Sequence, residues 1–116
     1  MSHRRRCTSL LAGRTPVVYG DGRQSRDFTY VENVVHGNLL ALRARGLAGQ
    51  AVNLATGQRT TLLELLRSLA RLLGRPGKAA HRPGRAGDVR HSLADIRLAR
   101  RLLGYRPRVS FEEGLR

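Results

Sequence analysis

The sequence predicts an α/β chain. Three observations carry this. Apolar residues recur with helical spacing in several stretches, short alternating or continuous apolar runs fall between them, and glycine or proline marks most of the junctions. The resulting order is strand, helix, strand, helix, strand, helix, joined by long connections. At 116 residues the chain suits one small domain rather than two ordinary ones.

The elements follow in order. Residues from Arg5 to Ala12 suit a short helix stopped by Gly13. Thr15 to Tyr19 reads as a strand. Tyr19-Gly20-Asp21-Gly22 then reads as a turn, with glycine where positive φ is needed. Its two glycines open a dinucleotide fingerprint, but Ser25 stands where the third glycine belongs. Phe28 to Val31 reads as a second extended piece leading into a helix over Glu32 to Arg45, which Gly46 and Gly49 stop. Gln50 to Ala55 is apolar enough for a buried strand, and Thr56 to Thr60 is a turn. The next helix is the best marked. Thr61 and Glu64 form a capping box, Leu62, Leu65, Leu66, Leu69 and Leu73 make one apolar stripe, and Gly74 closes it. Arg75 to Asp88 is loop-like, with a strand available at Lys78 to Arg82. Ser92 and Asp95 suggest a cap ahead of Ile96, Ala99 and Leu103, and Ser110 with Glu113 opens a last helix. The chain begins and ends inside elements, which is unusual for a complete domain.

The formal net charge of +14 points towards nucleic acid. Of the 22 basic residues, however, only Lys78 is lysine, and the arginines are spread along the chain rather than gathered into a stripe. The five aromatics form no stacking series, so nucleic acid remains the lesser alternative. No apolar run is long enough for a membrane span, and the segment after Arg6 is too short and polar for a signal peptide. One cysteine, Cys7, fits a reducing compartment, and the expected location is the cytoplasm. His3, His36, His81 and His91 stand at no metal-ligand spacing, so no metal is expected.

Two loops place arginine beside acid: Gln24-Ser25-Arg26-Asp27 and Pro83-Gly84-Arg85-Ala86-Gly87-Asp88. A guanidinium grips phosphate or carboxylate oxygens through two parallel hydrogen bonds, so two arginines from separate loops can clamp a diphosphate. The plain alternative is that each is solvated or pairs weakly with its neighbouring acid. Spacing alone does not decide between them.

The stretches YGDGRQSRDFTYVENVV (19–35), AVNLATGQRTTLLELL (51–66) and RPGRAGDVRHSLADIRLARRLLGYRPRVSFEEGL (82–115) resemble, in order, the C-terminal part of extended short-chain dehydrogenase/reductases. They are most similar to sugar-nucleotide epimerases of the UDP-glucose 4-epimerase type. The resemblance implies a Rossmann-like NAD(P)-binding fold, here its C-terminal portion with the small substrate-binding domain and an incomplete sheet. It implies a UDP-sugar as substrate and NAD as cofactor of the full-length family, with none held by this chain alone. It assigns Arg26 and Arg85 to the diphosphate, Asp88 to the ribose, and Val17 and Tyr19 to the strand along the uracil.

The chain departs from the family in two ways. It lacks the family's glycine fingerprint, and it lacks the Tyr-x-x-x-Lys pair that moves the hydroxyl proton. Tyr19, Tyr30 and Tyr105 are followed four residues later by Arg23, Val34 and Val109, so no catalytic residue is assigned. The expected organisation is a basic segment and short helix at 1–14, then the substrate side of an NAD-dependent epimerase or dehydratase at 15–116. The expected partners are a UDP-sugar and either a separate N-terminal Rossmann half or a second copy of the chain. The alternative is a non-catalytic nucleotide-sugar-binding module or one half of a split enzyme.

Overall fold

The capping box at Thr61 and Glu64 forms as the sequence requires. The Glu64 amide donates to Thr61 Oγ1, and the Thr61 amide donates back to the Glu64 carboxylate at 2.7 Å. This helix is one of nine elements in a computed structural model that describes residues 3–116. They are α1 (His3–Leu11), β1 (Val17–Tyr19), β2 (Ser25–Arg26), α2 (Val31–Arg43), β3 (Thr60–Thr61), α3 (Leu62–Leu72), β4 (Ala80–Arg82), α4 (Arg97–Leu103) and α5 (Phe111–Leu115). The basic segment expected at 1–14 falls partly on Met1 and Ser2, which lie outside the described residues.

The chain divides into two compact units. One comprises Met1–Arg26 and Thr60–His91, the other Asp27–Arg59 and Ser92–Arg116. In the first, β1 pairs in parallel with β4, in the register Val17 with Ala80, Val18 with His81 and Tyr19 with Arg82. β2 pairs antiparallel with β3. Helix α3 supplies the core. Leu62, Leu65, Leu66 and Leu69 of the stripe read from the sequence are buried, while Leu73 is only half-buried at the C-cap and Ala70 is buried instead; Leu10 and Val18 are buried in the same unit. In the second unit Ala55, Ile96, Ala99 and Tyr105 form a buried cluster, with Leu40, Val52, Leu54, Ala94 and Leu103 packed on it. The Tyr105 hydroxyl donates to the Ala55 carbonyl at 2.7 Å, which satisfies a phenol that is otherwise fully buried.

Several expectations are corrected. Phe28–Val31 is not a strand. The pairing falls earlier, on Ser25–Arg26, whose partner is the very segment that caps α3. Gln50–Ala55 is neither strand nor helix, because among the described residues no ladder partner reaches it; a strand exists only where its backbone is paired. The strand expected over Thr15–Tyr19 begins at Val17, and α2 ends at Arg43 rather than Arg45. Ser92 does not cap α4. Nor does Asp95: the N-cap is Ile96, without a side-chain cap bond, and Asp95, one residue earlier, accepts from the Arg97 amide at 3.0 Å. The capping box at Ser110 and Glu113 forms as expected.

Candidate functional site

The loop after β1 settles what Gly20 and Gly22 are for. Both have positive φ, +83° and +76°. Gly22 also lies against the start of α3: a Cβ built there would stand 2.7 Å from Leu63 Cδ2. The first amides of α3 are already spent. Leu62 donates to the Gln24 carbonyl, Leu63 to the Gly22 carbonyl and Glu64 to the Thr61 hydroxyl. A dinucleotide cradle needs a helix N-terminus with open amides. The residues here do not fit NAD, and the glycines serve a turn packed on a helix.

The same unit gathers the charged groups. Arg26, on β2, donates from Nη1 to the Ser25 carbonyl at 2.7 Å and from Nη2 to Asp88 Oδ1 at 3.1 Å, across 62 positions of sequence. Its side chain is 28% exposed. Asp88 also acts on Arg6, a guanidinium buried in α1. Burial lowers the Arg6 pKa, and the charge of Asp88 partly offsets this. Arg85 lies over the Tyr19 ring, 4.1 Å from its centroid. The Tyr19 phenol is held below its usual range, chiefly by hydrogen bonding from Arg85. Arg90 grips both carboxylate oxygens of Asp21 at 2.8 Å each, which holds the Asp21 carboxyl well below the usual carboxylate range.

Of the residues read from the sequence, the structure therefore joins Arg26 to Asp88 and Arg85 to Tyr19, with Val17 on β1 beside them in sequence. Among the described residues no hydrogen bond, ion pair or ring contact links one pair to the other. Sequence reasoning missed the supports. Ser25 Oγ meets His91 Nδ1 at 2.7 Å, and Gln24 Nε2 donates to the Tyr19 carbonyl at 2.9 Å. Arg6 and Arg90 were also missed, because partners 69 and more positions away leave no local signature. Asp27, next to Arg26, has a different task. In the second unit its carboxylate accepts from the Thr56 hydroxyl and amide and from the Gly57 amide, fixing the turn after Ala55.

Among the described residues no three His, Cys, Asp or Glu side chains group as metal ligands, and no helix is long and apolar enough to cross a membrane.

Comparison with known proteins gives a consistent result. The model of the GDP-mannose 4,6 dehydratase family matches residues 5–116. A UDP-glucose 4-epimerase of Mycolicibacterium smegmatis is 40% identical over 109 residues, which are 92% of this chain and 34% of that protein. The structure of Thermotoga maritima UDP-glucose 4-epimerase with UDP-glucose superposes with a TM-score of 0.87 at 37% identity, covering 95% of this chain and 35% of that one. The Bacillus cereus UDP-glucuronic acid 4-epimerase in complex with UDP-glucuronic acid and NAD gives 0.90 at 28% identity, covering 99% and 37%. The chain thus spans about a third of the length of the relatives it matches.

Proposed function

The chain belongs to the GDP-mannose 4,6 dehydratase family, as a C-terminal part of a nucleotide-sugar epimerase or dehydratase, and on that premise we propose that it supplies the diphosphate grip for a UDP-sugar. Arg26 and Arg85 hold the diphosphate, Asp88 orients Arg26 and meets the ribose, and Val17 and Tyr19 run along the uracil. The observation that carries this reading is the fixed state of Arg26. Its guanidinium is partly buried and held by Ser25 and by Asp88 from 62 positions away. A solvated surface arginine needs no such anchoring, whereas a bidentate anion site gains from a fork that is already oriented.

The parent chemistry is epimerisation at a sugar carbon in the cytoplasm. NAD belongs to the part of the family fold outside this chain, since the only glycine pair resembling its fingerprint is engaged with α3. What these residues do is bind and orient; no proton-transfer residue is assigned among them.

Calorimetric titration of UDP at fixed salt tests the reading. Arg26→Ala and Arg85→Ala should each weaken binding by about 1.5–3 kcal/mol, the scale of hydrogen bonds to charged groups. Lysine at either position should rescue only in part, and Arg71→Ala, at an exposed position of α3, should change little. Unchanged affinity in both alanine variants overturns the assignment.

A further inference from the structure

Helices α1 and α3 end in the same way. After α1 the Gly13 amide donates to the Leu10 carbonyl and the Arg14 amide to the Ser9 carbonyl, at 3.0 and 2.8 Å. After α3 the Gly74 amide donates to the Arg71 carbonyl and the Arg75 amide to the Ala70 carbonyl, at 3.3 and 2.8 Å. Both are Schellman stops, with φ of +70° at Gly13 and +61° at Gly74. Each stop fixes the backbone of the arginine that follows it. The two helices pack on one another in the first unit, and both arginines line one cavity of about 180 Å³ together with Lys78. Arg75 is held further, since its Nη2 donates to the Leu11 carbonyl at 3.5 Å.

Charge decides what this cavity suits. No acid is among the described residues that line it, and none of the three cations forms an ion pair with a described residue. The plain alternative is that Arg14 and Arg75 complement the negative ends of the two helices. Each such end amounts to about half a negative charge, so the two offset about one of three positive charges. About two positive charges remain, which match the charge of one phosphate group. Size agrees with this. At about 30 Å³ per water the cavity has room for about six waters, enough for a phosphate group. It is too small for a nucleotide, since pockets for larger ligands start at about 300 Å³.

We propose that this cavity is a second anion site, which takes a single dianionic phosphate group, free or as a monoester, between Arg14, Arg75 and Lys78. It is separate from the diphosphate site. Thr15, Pro16 and Lys78 precede β1 and β4, whereas Tyr19 ends β1 and Arg85 follows β4, and the two strands run parallel. The cavity therefore lies at the end of the strand pair opposite to Tyr19 and Arg85. The inference rests on neither the family assignment nor the diphosphate reading.

Amide magnetic resonance of the 116-residue chain, titrated with inorganic phosphate at about pH 8, tests the site. The Gly13, Arg14 and Arg75 amide signals should shift and saturate, and sodium chloride at matched ionic strength should not reproduce this. Arg14→Gln and Lys78→Gln, both at exposed positions, should each weaken binding about tenfold or more. Arg67→Gln removes the same charge from an exposed position of α3 outside the cavity and should change little. Arg26→Ala with Arg85→Ala should leave the shifts in place. A parallel titration with glycerol phosphate separates the sources: affinity at least equal to that for inorganic phosphate assigns the site to a monoester, and weaker affinity assigns it to the free anion.

The proposal is overturned by shifts that do not saturate, by shifts that chloride reproduces, or by unchanged affinity in both Arg14→Gln and Lys78→Gln. It is equally overturned if the shifts vanish in the Arg26 and Arg85 double variant, which assigns them to the diphosphate residues. A chain that takes phosphate in this cavity but has no affinity for UDP refutes the diphosphate reading and leaves the second site standing.

Discussion

Replacing Gly22 by alanine separates a turn glycine from a ligand-cradle glycine, with Gly20 as the internal control. Both positions hold positive φ, so alanine at either costs about 1–2 kcal/mol of backbone strain. A Cβ at Gly20 meets nothing nearer than the Gly84 Cα at 4.0 Å, and the cost stops there. At Gly22 the new atom lies 2.7 and 2.8 Å from Leu63 Cδ2 and Cγ, and 3.3 Å from Val18 Cγ1. Leu63 must move and the fully buried Val18 has no room to yield, an overpacking cost of about 1–3 kcal/mol. Gly22→Ala should therefore destabilise by about 2–5 kcal/mol, against about 1–2 for Gly20→Ala. Leu63→Ala removes both of the nearest clashing atoms. In the double variant the two substitutions should be non-additive, recovering about 1–2 kcal/mol. Urea unfolding followed by far-UV circular dichroism measures all four, provided the slopes agree. Equal effects at the two glycines, or strict additivity with Leu63→Ala, refutes the packing argument.

Asn33→Ala should cost about 2–4 kcal/mol by the same assay. It strips partners from the Arg108 and Val109 amides and the Val109 carbonyl, whereas Asn38→Ala, at an exposed position on the same helix, should be near neutral. Asp95 is held at about 2 against an ordinary 3.8, first by hydrogen bonding from the Arg97 side chain. Its folded pKa is the lower one, so its contribution is complete above about pH 4 and is lost as pH falls towards 2. Asp95→Asn should flatten that part of the acid limb of a stability profile, and an unaltered limb refutes the linkage. The isolated chain should not interconvert UDP-glucose with its epimer, with or without NAD. Turnover in protein purified from an epimerase-free host would refute this.

What could be read from the sequence is what local chemistry specifies. The boxes at Thr61 and Ser110 close within three residues, and the leucines of α3 repeat at helical spacing, so both were legible. The two-residue strands were not. Ser25–Arg26 and Thr60–Thr61 carry no alternation long enough to register, and their pairing depends on the loop that caps α3. Gln50–Ala55 shows the reverse error: a strand-like sequence reads as a buried strand, but pairing is a property of a partner, none of which reaches it among the described residues, and residues 50, 51 and 53 are exposed. In the site, Arg26 and Asp88 were legible only through resemblance. The roles of Arg6, Arg90 and Asp27 are set by long-range contacts that no window contains.

Neither compact unit is a continuous stretch of chain. The backbone passes between them at Arg26–Asp27, Arg59–Thr60 and His91–Ser92. During synthesis, β1 therefore waits for β4, and α2 emerges before its partners around Tyr105 exist. The ribosome cannot release a finished first unit before starting the second, so folding cannot proceed module by module from the N-terminus. For the same reason no single cleavage or truncation excises either unit intact. A nick in any of the three passages leaves two pieces that must find each other again.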